Sequence, residues 1–386
     1  MKNWIRKKSV IGYIISALAL AGLNLLAWRS TSFCDFYIAN IFPVWVNTYG
    51  RVTGIFPFSV GEFMLVAGCI LVVISAVCLV VCGLLGIFKL FKHKTIPRLH
   101  KLCKGYLIFF AWTFLVVCIV MTLNCFILYH ASTFSEKYFG ELPASEEFTF
   151  EELIAVRNLV VEKCNELSLV MDRDEKREII YAGDLGEDAI RAMQSLGKTY
   201  PQLDGYYPRP KPLLASDFFC QQYMQGYYFP FSMEANYNTV MCLMNKPATL
   251  CHELSHLRGY IYEDEANFIA FLACISSDDI VYEYSGYLSV LYYLDNDFYH
   301  GVNEDAELYL AQPQISPLVH KDNTFVTEEE WERINGKALI DTEVVEEVSD
   351  TFVDTTLKLN GVDDGKISYS RVVRLLLQYY RSMGKI

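Results

Sequence analysis

The stretch His252-Glu253-Leu254-Ser255-His256 places two histidines four residues apart, with a glutamate directly after the first. On a helix this spacing puts both imidazoles on one face, where they can bind one metal ion, and lets Glu253 reach a water on that ion. The alternative is an ordinary helix with two surface histidines. Only four histidines follow residue 130, and two of them lie in this motif. We therefore interpret the motif as a zinc site, with Zn2+ as the cofactor.

The residues around the motif predict its local structure. Asn245-Lys246-Pro247 is a typical helix start, so the motif is expected to open a helix. Short apolar runs at residues 212–215 and 240–244 are typical of strands and predict a small sheet ahead of the motif. Arg258-Gly259 predicts the end of the motif helix, because glycine accepts the left-handed conformation that terminates helices.

A catalytic zinc site usually has three protein ligands, so a third ligand is needed. The candidates are the nearby acids Glu263, Asp264 and Glu265. In a continuous helix Glu263 would lie about 10.5 Å along the axis from His256, too far to share an ion. A break at Gly259 lets the chain fold back and begin a second helix near Tyr262, which brings an acid to the metal.

Charge divides the chain into two parts. The first 130 residues contain only two acids, Asp35 and Glu62, against twelve Lys and Arg, whereas the remainder contains 43 acids against 21 bases. A phosphate backbone would be repelled by so acidic a domain, so we expect no nucleic-acid partner. We predict a membrane domain at residues 1–130 and an extracytoplasmic domain at residues 131–386.

Three uncharged apolar runs, at residues 9–28, 63–88 and 105–129, reach the roughly 20 residues needed to cross a bilayer. The N-terminus and the loop between the second and third runs are rich in Lys and Arg, which places both in the cytoplasm. Three crossings then put the C-terminal domain outside. A cleaved signal peptide ending at Ala17-Leu18-Ala19 is the alternative for the first run, but that run is longer than such segments usually are.

Helical spacing recurs through the C-terminal part, at residues 153–171, 186–196, 266–276, 286–293, 344–359 and 369–380. This predicts a helix-rich α+β domain with a small sheet. Five cysteines lie in the domain without tight spacing, so no disulfide is required. Cys251 is rotated about 100° from His252 on the motif helix and is expected to pack rather than to bind metal.

The run Glu263-Asp264-Glu265-Ala266-Asn267 after the motif resembles the gluzincin clan of thermolysin-like zinc peptidases. The resemblance implies a zincin-like metallopeptidase domain with Glu263 as the third ligand. It also implies that Asn267 hydrogen-bonds the first histidine from outside the ligand set. By ligand type alone, Glu265 is the second choice. The gap between His256 and Glu263 is shorter than in thermolysin, and the metzincin pattern would put Tyr262, a poor ligand, at the third position.

A closer resemblance is to an uncharacterised family of bacterial integral membrane proteins, domain of unknown function 3810. The residues that carry it follow three membrane helices and are Pro230-Phe231-Ser232-Met233-Glu234-Ala235-Asn236, the motif itself, Glu265-Ala266-Asn267-Phe268 and Tyr284-Ser285-Gly286-Tyr287. This resemblance implies a multi-pass protein of the bacterial plasma membrane, with its N-terminus in the cytoplasm and the lipid bilayer as a partner.

The expected activity is metal-assisted hydrolysis of peptide bonds in a peptide or protein substrate, with Glu253 as the base. Candidate donors to the oxyanion are Tyr284, Tyr287, His300 and His320, each of which also has a purely structural interpretation. An extended substrate could add to a strand edge at residues 226–231 or 240–244. The alternative function is a non-catalytic zinc-binding sensor or assembly factor, which would not need Glu253.

Overall fold

A computed structural model describes residues 2–90, 97–140, 148–359 and 371–386. The N-terminal third is helical. Its helices are α1 (Lys2–Arg29), α2 (Thr31–Asn40), α3 (Phe42–Trp45), α4 (Arg51–Thr53), α5 (Val60–Leu90) and α6 (Pro97–Met121).

Helices α1, α5 and α6 are long and apolar enough to cross a membrane, which confirms the three predicted spans. The third span continues past α6 through a π-helical turn, Thr122–Phe126, and a 3-10 turn, Leu128–His130. The start of α5 contacts the C-terminal domain through the Val60 backbone N–H, which donates to Glu234, and the end of the third span does so through the Tyr129 carbonyl, which accepts from Tyr262.

The segment that joins α1 to α5 has two faces. Cys34, Tyr37 and Ile38 on α2 are buried in the same hydrophobic core as the C-terminal domain. Large apolar side chains cover the outward face, among them Phe36, Val44, Trp45, Val52 and Ile55. The segment that joins α1 to α5 belongs to the membrane domain predicted from the sequence. The structure shows that its buried face also packs into the core of the C-terminal domain.

The C-terminal domain is built mainly of helices, as predicted. In chain order its elements are α7 (Phe134–Tyr138), α8 (Phe150–Val170), α9 (Leu185–Gly197), β1 (Lys211–Pro212), α10 (Ser216–Cys220), β2 (Gly226–Phe229), β3 (Glu234–Tyr237), α11 (Lys246–His256), α12 (Glu263–Ile275), α13 (Ile280–Gly301), α14 (Ala306–Leu310), α15 (Pro317–Asp322), α16 (Glu328–Lys337), α17 (Thr342–Leu359) and α18 (Arg371–Ser382).

The predicted helices are confirmed, and several are longer than expected. Their starts follow from capping: the Thr149 hydroxyl accepts from a backbone N–H of α8, and the carboxylates of Asp184 and Asp279 do the same for α9 and α13. Of the helix predicted at residues 369–380, positions 369 and 370 lie outside the described residues. All twelve cysteines are described, and none of them forms a disulfide.

The sheet has three short strands in the order β1-β3-β2, so β2 is an edge strand. β2 and β3 are antiparallel, with Gly226 opposite Tyr237 and Phe229 opposite Glu234. A sheet ahead of the motif is confirmed, but the strand predicted at residues 240–244 is wrong. That segment bonds to a distant loop through Cys242 N and Phe325 O, at 2.8 Å, and then forms a 3-10 turn. Of residues 212–215, only Pro212 belongs to a strand.

α12 lies at the centre of the domain and is packed between α11, α13 and α18. Its side chains from Phe268 to Cys274 are all buried, as expected of a helix that is apolar on every face. α8 packs along α13 and closes the far side of the core. Helices α11 and α12, which carry the candidate site, are therefore held in the hydrophobic core of the domain.

A buried carboxylate ties the sheet to the second membrane span. Glu234 accepts hydrogen bonds from the backbone N–H groups of Val60 and Gly61, at 3.2 and 2.8 Å, at the start of α5. It also forms an ion pair with Lys211, and both side chains are almost completely buried. A negative charge at a helix N-terminus is favourable because the helix dipole is positive there. The domain is thus held directly against the membrane helices.

This arrangement predicts that Glu234→Gln destabilises the whole chain. The substitution leaves the Lys211 ammonium buried without a counter-charge, which should lower the free energy of unfolding by about 3 to 5 kcal/mol. The measurement is denaturant unfolding of the full chain in detergent micelles.

Glu166→Gln is the matched control, because the ion pair of Glu166 with Lys163 is exposed. That change should cost about 0 to 1 kcal/mol. Equal unfolding curves for the two variants would contradict a structural role for the buried pair.

Candidate metal centre

The motif lies in the last five residues of α11. The prediction that it opens the helix is wrong: α11 begins at Lys246 as expected, but the motif closes it. Asn245 precedes the helix without capping it, since its side-chain amide donates to the Thr324 carbonyl instead, at 2.8 Å. The position at the helix end matters because the chain turns directly after it, which brings the Tyr260 carbonyl within 2.7 Å of His256 Nδ1.

The chain reverses direction directly after the motif. Gly259 has a φ of +87°, in the left-handed region that favours glycine. A Cβ atom at this position would also lie 2.9 Å from Ile38 of α2. The break predicted at Arg258-Gly259 is confirmed. Because α12 begins four residues later, its first residue, Glu263, returns to the face of α11 that carries the histidines.

Three side chains converge at this point. His252 Nε2 lies 3.0 Å from Glu263 Oε2 and 3.1 Å from His256 Nε2. His256 Nε2 lies 4.0 Å from Glu263 Oε1. One donor atom from each of the three residues lies within 4.8 Å of the other two, so a single metal ion could contact all three.

The outer hydrogen bonds fix which imidazole nitrogens face this point. His256 Nδ1 lies 2.7 Å from the Tyr260 carbonyl, which can only accept, so Nδ1 carries the proton. His252 Nδ1 lies 2.8 Å from Asn267 Oδ1, which is likewise an acceptor. In the neutral tautomers both Nε2 lone pairs then point at one another. A cation between them would relieve this repulsion, so the residues fit a divalent metal.

The charges of the cluster are shifted in the sense that favours a cation. Burial opposes ionisation of Glu263, but its contacts with the two histidines lower its pKa to about 2. Burial and the neighbouring charge of His252 lower the pKa of His256 to about 4. Burial also disfavours protonated His252, but Glu263 outweighs it and raises the pKa of His252 to about 9. The cluster therefore holds one proton at neutral pH that a metal would displace.

Glu253 lies beside the three convergent groups in a tight space. Its side chain is 4 % exposed, and Oε2 has no hydrogen-bond partner among the described residues. β2 makes this close approach possible, because a Cβ atom at Gly226 would lie 2.8 Å from Glu253 Oε1. Burial raises the pKa of Glu253 to about 8. Burial therefore favours the uncharged carboxyl group, and a bound cation nearby would favour the carboxylate.

A cleft of about 710 Å³ opens over these residues, a size typical of ligand sites. Glu263 reaches into it, with 35 % of its side chain exposed. Gly226 and Tyr227 of β2 form one wall and Tyr293 of α13 forms another. The cleft thus gives a ligand access to the cluster.

The other sequence candidates lie elsewhere. The Glu265 carboxylate is buried and accepts from the Phe134 backbone N–H at the start of α7. The Tyr284 hydroxyl donates to Asp322, at 2.9 Å, and Tyr287 packs its ring against Phe271. His300 pairs with Glu304 on the surface, and His320 is exposed. None of these five residues is among the described residues that line the cleft.

Tyr293 is a residue of the site that was not predicted from the sequence. Tyr293 lines the cleft, and its hydroxyl lies 3.5 Å from Asn267 Nδ2. On α13, Ser285, Ser289 and Tyr293 follow one another at four-residue spacing and so lie on one face of the helix. Ser285 and Ser289 face α11 and the cleft. This spacing was the signal in the sequence from which Tyr293 could have been identified. The sequence placed Gly226 at the start of a candidate strand edge, but its close contact with Glu253 could not be found from local pattern, because it depends on the position of Glu253.

The described part of the chain is a membrane protein with a helix-rich domain that carries a histidine-histidine-glutamate cluster. The chain belongs to the family described as "Protein of unknown function (DUF3810)", whose profile matches residues 37–377. The resemblance to this uncharacterised membrane-protein family is confirmed. No curated protein and no solved structure matches the chain.

The approach of β2 to Glu253 predicts that Gly226→Ala is destabilising. The new methyl group would overlap Glu253 and the Asn236 carbonyl, which would lie 2.6 Å away, and overpacking of this kind costs about 1 to 3 kcal/mol. Gly336→Ala is the control, because nothing lies within 4 Å of that position on the exposed face of α16. It should stabilise the chain by up to about 1 kcal/mol. Thermal unfolding measures both, and equal shifts would contradict the close contact.

Proposed function

We propose that this protein is a membrane-anchored, zinc-dependent metallopeptidase that hydrolyses peptide bonds of a protein or peptide substrate. The observation that carries the proposal is the placement of a buried, unpartnered Glu253 carboxyl oxygen beside the three convergent metal-binding groups. A purely structural metal site has no use for such a carboxyl group. The open cleft supports the proposal, because closed coordination is typical of structural sites.

His252, His256 and Glu263 would hold the ion. Two histidines and a glutamate form a known ligand set of catalytic zinc. When bound, zinc supplies an acidified water and polarises the substrate carbonyl. The arrangement of ligands, with Asn267 hydrogen-bonded to the first histidine, supports assignment to the gluzincin clan and a zincin-like domain.

The chain's own residues perform the proton transfers and orient the substrate. Glu253 accepts a proton at its carboxyl oxygen and later donates it to the leaving amine. Tyr293, which lines the cleft beside Asn267, is the candidate donor to the substrate oxygen. Burial, and then the charge of Glu263, raise the pKa of Tyr293 to about 12, so its hydroxyl stays protonated. Asn267 and the Tyr260 carbonyl keep the imidazoles oriented.

The substrate would bind as an added strand. β2 is the edge of its sheet, and Gly226 and Tyr227 line the cleft next to Glu253. An extended peptide that pairs with this edge would present its backbone carbonyl to the site. The basic N-terminus and the basic loop after α5 favour an orientation with the cleft at the outer face of the bacterial plasma membrane.

The decisive variants separate hydrolysis from metal binding. Glu253→Gln removes the base but leaves the three metal-binding residues intact, so zinc content should stay near one per chain. Cleavage should fall by a factor of roughly 100 to 10,000. His252→Ala should lose both zinc and activity. The measurements are metal analysis of the purified full chain and mass spectrometry of peptide-library digests.

The non-catalytic alternative gives a different pattern. If cells with Glu253→Gln behave like the parent while cells with His252→Ala show a defect, the metal serves a sensor or assembly role. That result would overturn the peptidase proposal and leave the metal site standing.

A further inference from the structure

The metal centre lies close to the end of the third membrane span. Tyr262, the residue before Glu263, donates its hydroxyl to the Tyr129 carbonyl at 2.7 Å. The rings of these two tyrosines also meet edge to face, at 5.3 Å. Tyr129 belongs to the last turn of the span that ends at His130. One side chain therefore separates the start of α12 from the membrane boundary.

β2 connects the cleft with that same boundary. At one end, Gly226 lies against Glu253. At the other end, Phe229 packs on Gly61 in the first turn of α5, and the Pro230 carbonyl accepts from Asn124 Nδ2 of the third span at 2.7 Å. Strands advance by about 3.3 Å per residue, so the distance from Gly226 to Phe229 is about 10 Å. The free edge of β2 thus runs from the membrane boundary to the site.

The apolar outward face of the segment between α1 and α5 also indicates that the cleft lies close to the membrane surface. Phe36, Val44, Trp45, Val52 and Ile55 are exposed there, and the segment is continuous with two membrane spans. Aromatic and aliphatic side chains in such a position are typical of a segment that lies in the lipid interface. On its inner face, Ile38 contacts the turn at Gly259. The turn at Gly259, which follows α11, is therefore packed against a segment that lies in the lipid interface.

We propose that the substrate is itself a membrane-anchored polypeptide, cleaved in its extramembrane segment within about ten residues of the bilayer surface. The inference rests on the proposed peptidase function and names its substrate class. A chain that leaves the bilayer beside Phe229 and pairs with the edge of β2 reaches Glu253 after about three residues. A shared membrane also raises the effective concentration of such a substrate over one in solution.

The test uses the full chain, loaded with zinc and reconstituted in vesicles of phosphatidylethanolamine and phosphatidylglycerol. The probe is a library of polypeptides with one apolar span followed by a randomised 40-residue segment. The matched control is the same set of randomised segments without the span. Mass spectrometry records where and how fast each is cut, and Glu253→Gln identifies cleavage that depends on the site.

Cuts are expected within about the first ten residues after the span, and at least about tenfold faster than in the soluble segments. A preferred sequence moved 20 residues outward should no longer be cut. Equal rates for anchored and soluble segments, or cuts spread evenly along the anchored ones, would overturn this inference and leave the peptidase standing. Absence of site-dependent cleavage in both libraries would overturn the proposed function itself.

Discussion

Two imidazole nitrogens that face each other at 3.1 Å, each with its proton held on the far side of the ring, need a positive charge nearby. In this chain the charge can be a proton, shared with Glu263, or a metal ion. Most features of the site follow from this constraint. Asn267 and the Tyr260 carbonyl hold the rings in place, and Glu263 supplies the negative charge that makes a cation favourable.

The close approach of the two imidazoles to Glu263 depends on how α11 and α12 meet. Glu263 reaches the histidines only because the chain turns sharply at Gly259, and that turn is packed against Ile38 from the segment between two membrane spans. The sheet is held to the second span through Glu234, and the edge strand brings Gly226 against Glu253. The membrane helices are thus part of the scaffold of the site rather than a separate anchor.

Much of this site could be predicted because its geometry is local. The spacing of His252 and His256, the glycine that ends the helix, and the acid at the start of the next helix all lie within twelve residues. The strand predicted at residues 240–244 failed because an apolar run does not reveal its partner, which is a distant loop at Phe325. Glu265 and Glu234 illustrate the same limit, since their roles depend on backbone groups more than a hundred residues away. Tyr293 was missed because a helix rich in tyrosine offers several equivalent candidates.

We propose that two imidazoles and one carboxylate bind a single zinc ion. X-ray absorption spectroscopy of the full chain, purified with zinc, tests it directly. We expect one zinc per chain, surrounded only by nitrogen and oxygen at about 2.0 to 2.2 Å, with two imidazoles among the neighbours. A sulfur neighbour at about 2.3 Å would instead indicate binding by a cysteine such as Cys251. That result, or a chain that retains no zinc, would rule out zinc binding by His252, His256 and Glu263.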